Sequence, residues 1–267
     1  MAHGTHNTEP ELREHPEASI EVDQLPQYSL SRILGIWAAA ALPMAVLAWV
    51  VAPWLAGSLG GPAALPRAII LALTLGLVWQ FLIVLVLLRR EQGSLRWTVV
   101  KDALWLRAPT SPGTGRRGGL LWLLLLPLGA AFAAKEFLPT LSAPAARDMA
   151  VLLESDAGQS FLSHNWVWLA LIVTMYLFNT ALGEELLFRG LLLPRMQGVF
   201  GRWDWVANGL LFGLYHLHVP WSIPRNLVDT FILAYPSRRY RSALIGIIVH
   251  SAQSVFFVVL VLLVVLR

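Results

Sequence analysis

The chain has 267 residues, of which 57% are hydrophobic and only 13% charged, too few polar side chains to solvate a globule of this length. Its net charge of +4 does not mark a nucleic-acid binder, because the basic residues sit in connections between apolar runs. It contains no cysteine, which excludes a disulfide framework and a thiolate metal site. Residues 1–29 are polar and rich in Glu, His and Pro, without the basic start and short apolar core of a cleavable signal peptide. They are expected to form a disordered tail, with His3, His6 and His15 as surface residues. A membrane span needs about 20 mostly apolar residues. Residues 33–55, 69–88 and 243–266 satisfy this, 118–134, 166–193 and 205–219 are further predicted helices, and 227–235 is a short one. The expectation is an all-α, polytopic membrane helix bundle of about six to eight transmembrane helices. Residues 30–162 read as membrane scaffold, and 163–267 hold the candidate chemistry.

Orientation follows from the basic residues. Arg89, Arg90, Arg96, Lys101, Arg107, Arg116 and Arg117 crowd the connection after the second span, whereas the connection 56–66 has no Lys or Arg. Basic connections stay cytoplasmic, so this one is placed inside and the N-terminus with it. Alternation puts residues 135–163, with two basic and four acidic side chains, outside, and Arg195, Arg202, Arg238, Arg239 and Arg241 inside. The reading is an integral, multi-pass protein of the cell membrane whose surroundings are the lipid bilayer.

The most informative stretch is Gly183-Glu184-Glu185-Leu186-Leu187-Phe188-Arg189-Gly190, three ionisable side chains at the end of an apolar run. A charge at the bilayer centre costs at least ~2.5 kcal/mol, so such residues face the bundle interior and default to a functional hypothesis. Counted from the cytoplasmic helix ends at 1.5 Å per residue, Glu184 lies about 16 Å deep, His216 about 18 Å and His250 about 14 Å. A shared depth on three helices is what a convergent site requires. Glu185 and Arg189 stand at i, i+4 and pair on one face, while Glu184 lies about 100° around the helix and stays free of that pairing. A free carboxylate beside imidazoles orients and deprotonates a water, or together with neutral His holds a divalent metal such as zinc, with Glu184, His216 and His250 as the three ligands. His250 and Ser254, again at i, i+4, are expected to point at one spot and donate to an oxyanion. His218 falls roughly opposite His216 on a continuing helix and reads as interfacial. Asp229 reads as a helix-start acid favoured by the dipole.

Glu184-Glu185-x-x-x-Arg189, Phe212-x-x-x-His216 and His250-x-x-x-Ser254, in that order on successive membrane helices, resemble the CPBP (CAAX protease and bacteriocin-processing) intramembrane proteases, which include CAAX prenyl endopeptidases of the Rce1 type. The resemblance implies an all-helical endopeptidase that cleaves a membrane-associated, CAAX-type or other peptide or protein. It implies Glu184 and His216 as the pair that activates water or binds a metal, and Glu185 and Arg189 as the second Glu and the Arg of the first motif. It implies His250 as an oxyanion-stabilising residue. The chain departs from the family where an Asn or Asp is usual and Ser254 stands instead. Two further classes stay open: a silent relative that binds peptides or serves bacteriocin self-immunity, and a proton-coupled transporter using the buried Glu and His as a relay. The hydrophobic segments show no inverted repeat of the kind transporters use. For the endopeptidase, a substrate tail is expected to reach the site from the cytoplasmic side.

Overall fold

The computed structural model describes residues 25–61, 63–139 and 141–267. The expected tail lies outside the described residues as far as residue 24, and so do His3, His6 and His15. Its last residues are packed: Leu25 and Tyr28 are buried, and Gln27 donates to the Pro194 carbonyl at 3.1 Å. The described residues are helical, without a strand; an isolated bridge joins Thr110 to Arg117. The long helices are α1 (Leu30–Leu59), α2 (Ala64–Gln92), α4 (Gly119–Phe137), α7 (Trp166–Arg195) and α10 (Ala243–Val265). Between them lie α3 (Trp97–Ala103), α5 (Met149–Glu154), α6 (Asp156–Leu162), α8 (Asp204–Tyr215) and α9 (Thr230–Ala234, continuing as Tyr235–Arg239).

Five of these helices are long and apolar enough to cross a membrane, and with the apolar side chains they leave exposed they make this an integral membrane protein. The expected helix 205–219 is shorter: α8 ends at Tyr215 after 12 residues, a reach of about 18 Å. The expected short helix 227–235 is replaced by α9, which begins at Thr230 and carries Pro236 in its first turn after Ala234. Both pack against the bundle with one face left exposed, Leu210 and Leu214 on α8 and Phe231 on α9, and neither is among the helices long enough to cross a membrane.

Local sequence explains how the long helices run and stop. Pro43 in α1 has no N–H to bond the Ala39 carbonyl, and the Trp79 indole of α2 donates to that oxygen at 2.9 Å. Helix α2 ends where Gly93 takes a left-handed φ of 68° and returns its N–H to the Arg89 carbonyl, the αL stop that glycine permits. Helix α7 is π-helical over Phe178–Gly183 and again over Leu186–Leu192. Gly183 lies where α7 crosses α2: a Cβ there would sit 2.5 Å from the Phe178 carbonyl and 3.3 Å from that of Leu77. From Gly183 to Met196 every residue is buried, so the charged half of α7 runs through the middle of the bundle, as charges at membrane depth require.

The bundle has two unlike ends. At one, Arg195 is fully buried, pairs with Glu91 at 2.5 Å and donates to the Ala103 carbonyl at 3.0 Å, while Asp204 pairs with Arg238 at 2.5 Å. The Thr110 N–H bonds the Tyr240 carbonyl at this same end, which gathers the basic connections. At the other, the His164 N–H bonds the Val265 carbonyl at 2.9 Å, and Arg147 donates to the Ala48 carbonyl at 3.0 Å. These are called the basic end and the far end.

Candidate active site

Glu184 and Glu185 sit between the two π-helical stretches of α7, with 1% and 0% exposure. Glu185 pairs with Arg189, as the i, i+4 spacing predicts. Glu185 Oε1 lies 3.2 Å from Arg189 Nη1, and the same oxygen accepts from His250 Nδ1 at 3.0 Å. The Arg189 guanidinium also lies over the Phe212 ring, 4.0 Å from its centroid. Glu185 thus ties α7 to α10, and Gly246 makes room for it, since a Cβ there would collide with Glu185 Oε2.

Glu184 stays outside that pairing. The Tyr215 hydroxyl hydrogen-bonds its carboxylate, and Gln80 of α2 in turn donates to the Tyr215 oxygen at 2.5 Å. The other carboxylate oxygen, Oε2, has no hydrogen-bond partner among the described residues. An unpaired buried carboxylate oxygen is costly, and Glu184 lines a cleft of about 290 Å³ together with His216, His218, His250 and Asn179.

The imidazoles are oriented by what their Nδ1 atoms bond. His216 Nδ1 lies 2.9 Å from the Phe212 carbonyl; a carbonyl only accepts, so Nδ1 carries the proton and Nε2 offers a lone pair. His250 Nδ1 likewise donates to Glu185 and leaves its Nε2 for the cleft.

Several sequence expectations change here. Ser254 is not brought to the cleft beside His250: its hydroxyl donates to Thr180 Oγ1 at 3.2 Å, and Thr180 Oγ1 also lies 3.0 Å from Ser251 Oγ. Gln253, at i+3 from His250, lines the cleft instead and donates to Glu136 at 2.9 Å. His218 is not interfacial. Because α8 ends at Tyr215, the chain turns, and the His218 ring stacks on that of His216 at 5.5 Å and 24°. Asp229 does stand at the start of a helix, at the N-cap of α9, but its side chain bonds none of the first-turn N–H groups and takes Lys135 Nζ at 2.6 Å in a buried ion pair. The three-ligand zinc set also changes. Glu184, His216 and His250 line one cleft, but among the described residues no three His, Asp or Glu side chains are grouped to hold one metal ion.

Sequence reasoning missed Asn179, Tyr215, Gln80 and His218. Asn179 and Glu184 are five residues apart, about 140° around an α-helix. The Glu184 N–H bonds the Asn179 carbonyl, an i→i+5 turn that brings both to the cleft. Gln80 left a signal, a lone amide in the apolar run 69–88. The helices treated as scaffold also supply cleft residues: Lys135 and Glu136 come from the end of α4.

Fold and site together define a class: a polytopic helical membrane protein with a carboxylate and imidazole cleft among its helices. Residues 166–256, a third of the chain, match the family model of type II CAAX prenyl endopeptidase Rce1-like proteins, and all seven motif residues lie within that stretch. No curated protein and no solved structure matches the chain.

Proposed function

We propose that the protein is an intramembrane endopeptidase that hydrolyses a peptide bond of a membrane-associated protein or peptide. The observation that carries this reading is the unpartnered Oε2 of Glu184 at the cleft that His216 and His250 also line. The family match of residues 166–256 supports it. Glu184 takes a proton from water while the Nε2 lone pair of His216 accepts that water's second hydrogen. The hydroxide adds to the scissile carbonyl carbon, and the C=O electron pair moves onto oxygen. The Asn179 amide donates to that oxyanion, in the cleft that His250 also lines. Glu184 then passes its proton to the amide nitrogen, the C–N bond breaks, and an acid and an amine leave.

The test is cleavage of a quenched-fluorescence peptide library, prenylated members included, by the full chain in detergent. Glu184→Gln is expected to lose about 10²- to 10⁴-fold in kcat/KM, the range of general-base catalysis, and a zinc chelator to leave the wild type unchanged. Chelator-sensitive cleavage overturns the metal-free step. A second reading, a silent relative that binds peptides, is favoured by one observation, the Ser254 hydroxyl turned onto Thr180. It predicts no cleavage by either protein and peptide binding retained in Glu184→Gln.

A further inference from the structure

The cleft has a direction. Along α7, counted back from Arg195, Glu184 comes first, Asn179 lies farther and Tyr176 farther still. All three line the cleft. Toward the basic end the path is closed. Residues 185–196 of the chain are buried, and Phe188, Arg189 and Phe212 are fully enclosed beneath the site. Toward the far end it is rimmed by partly exposed groups, Arg225 pairing with Glu136 at 2.7 Å. The wall 217–222 is held at far-end depth, because Trp49 donates to the Leu217 carbonyl at 2.9 Å. Trp49 stands 19 residues along α1 from Leu30, about 28 Å from the basic end.

The two ends also differ in charge. The basic end carries Arg89, Arg90, Arg96, Lys101, Arg116, Arg117, Arg202 and Arg239, whereas the far end has fewer, Arg67, Lys135, Arg147 and Arg225. Such asymmetry places the basic end in the cytoplasm. We propose that the cleft is reached from the membrane face opposite the cytoplasm, so that its substrate is a peptide segment presented at that face and not a cytoplasmic tail. The word substrate rests on the endopeptidase reading; the direction of access does not.

The absence of cysteine makes the test direct. Single-cysteine variants of the full chain are labelled with a membrane-impermeant maleimide in intact cells and in inside-out vesicles made from them. Gln253→Cys reports the cleft and Arg225→Cys its rim. Ser142→Cys marks the far end and Thr114→Cys the basic connection. Each variant is first checked for a monodisperse detergent profile, and Arg225→Cys carries the test if Gln253→Cys does not fold. The expected result is labelling of the cleft, rim and far-end cysteines in intact cells, and of Thr114→Cys only in inside-out vesicles. Cleft and rim cysteines labelled only with Thr114→Cys, or from neither side while Ser142→Cys reacts, overturn the direction of access. Thr114→Cys reacting in intact cells overturns the orientation. No substrate is needed, so failure here leaves hydrolysis standing, and failure of hydrolysis leaves this result standing.

Discussion

Ser254 donates its hydroxyl to Thr180 at 3.2 Å, while Asn179, the neighbour of Thr180 in the chain, lines the cleft with a side chain that makes no hydrogen bond among the described residues. The motif spacing gives oxyanion donation to His250 and Ser254, and in the proposed mechanism Asn179 stands where Ser254 was expected. Ser254→Ala is expected to keep its turnover and to lose about 1 kcal/mol of stability, the net value of one hydrogen bond. Asn179→Ala is expected to lose about 10² in kcat with KM little changed, as removal of an oxyanion donor does. Steady-state kinetics of both variants on one cleaved peptide, beside their thermal midpoints in detergent, check this. That Glu184, His216 and His250 line one cleft was legible from residue type and depth. Asn179 was not, because an α-helical count turns it away from Glu184.

At the scale of the element, α7 decides the site. Its two π-helical stretches flank Glu184 and Glu185, and extra-wide turns of this kind recur at functional sites because they re-aim side chains. Gly183 allows the first of them to lie against α2. In Gly183→Ala the Cβ would meet backbone, the Phe178 carbonyl at 2.5 Å, which cannot move as a side-chain tip can. The variant is expected to lose about 1–3 kcal/mol, the usual cost of overpacking, read as a lowered midpoint of unfolding in detergent. Activity should fall with it, since straightening the turn rotates Asn179 off the cleft. The early stop of α8 acts in the same way on His218, which a longer helix would carry to the opposite side.

Across the whole molecule, polar ties hold the ends of the bundle. Lys135 of α4 and Asp229 before α9 are 94 residues apart in sequence and meet at 2.6 Å with both side chains nearly enclosed. Breaking one partner of a buried pair leaves a lone charge and costs about 3–5 kcal/mol, whereas replacing both by apolar groups of similar volume is often neutral. Asp229→Ala is thus expected to destabilise strongly, and Lys135→Met with Asp229→Leu to recover most of the loss. A double-mutant comparison of thermal midpoints checks it. The pair also stands at the cleft, so it joins the N-terminal helices to the site rather than leaving them as plain scaffold.

The amino-acid sequence by itself determined the medium, the helical class and the carriers of chemistry. Apolar runs of span length need a bilayer, and three charges inside one of them need a site. It also determined the Glu185–Arg189 pairing, because i, i+4 neighbours meet on any helix. Only the tertiary structure decided which side chains reach Glu184 and from which end the cleft opens. Those depend on where a helix changes its winding or stops, and on which neighbour then offers a hydrogen bond. Thr180 takes Ser254, Glu185 takes His250, and the turn after Tyr215 returns His218 to the cleft. None of these contacts lies within the reach of a regular 100° repeat read along one segment.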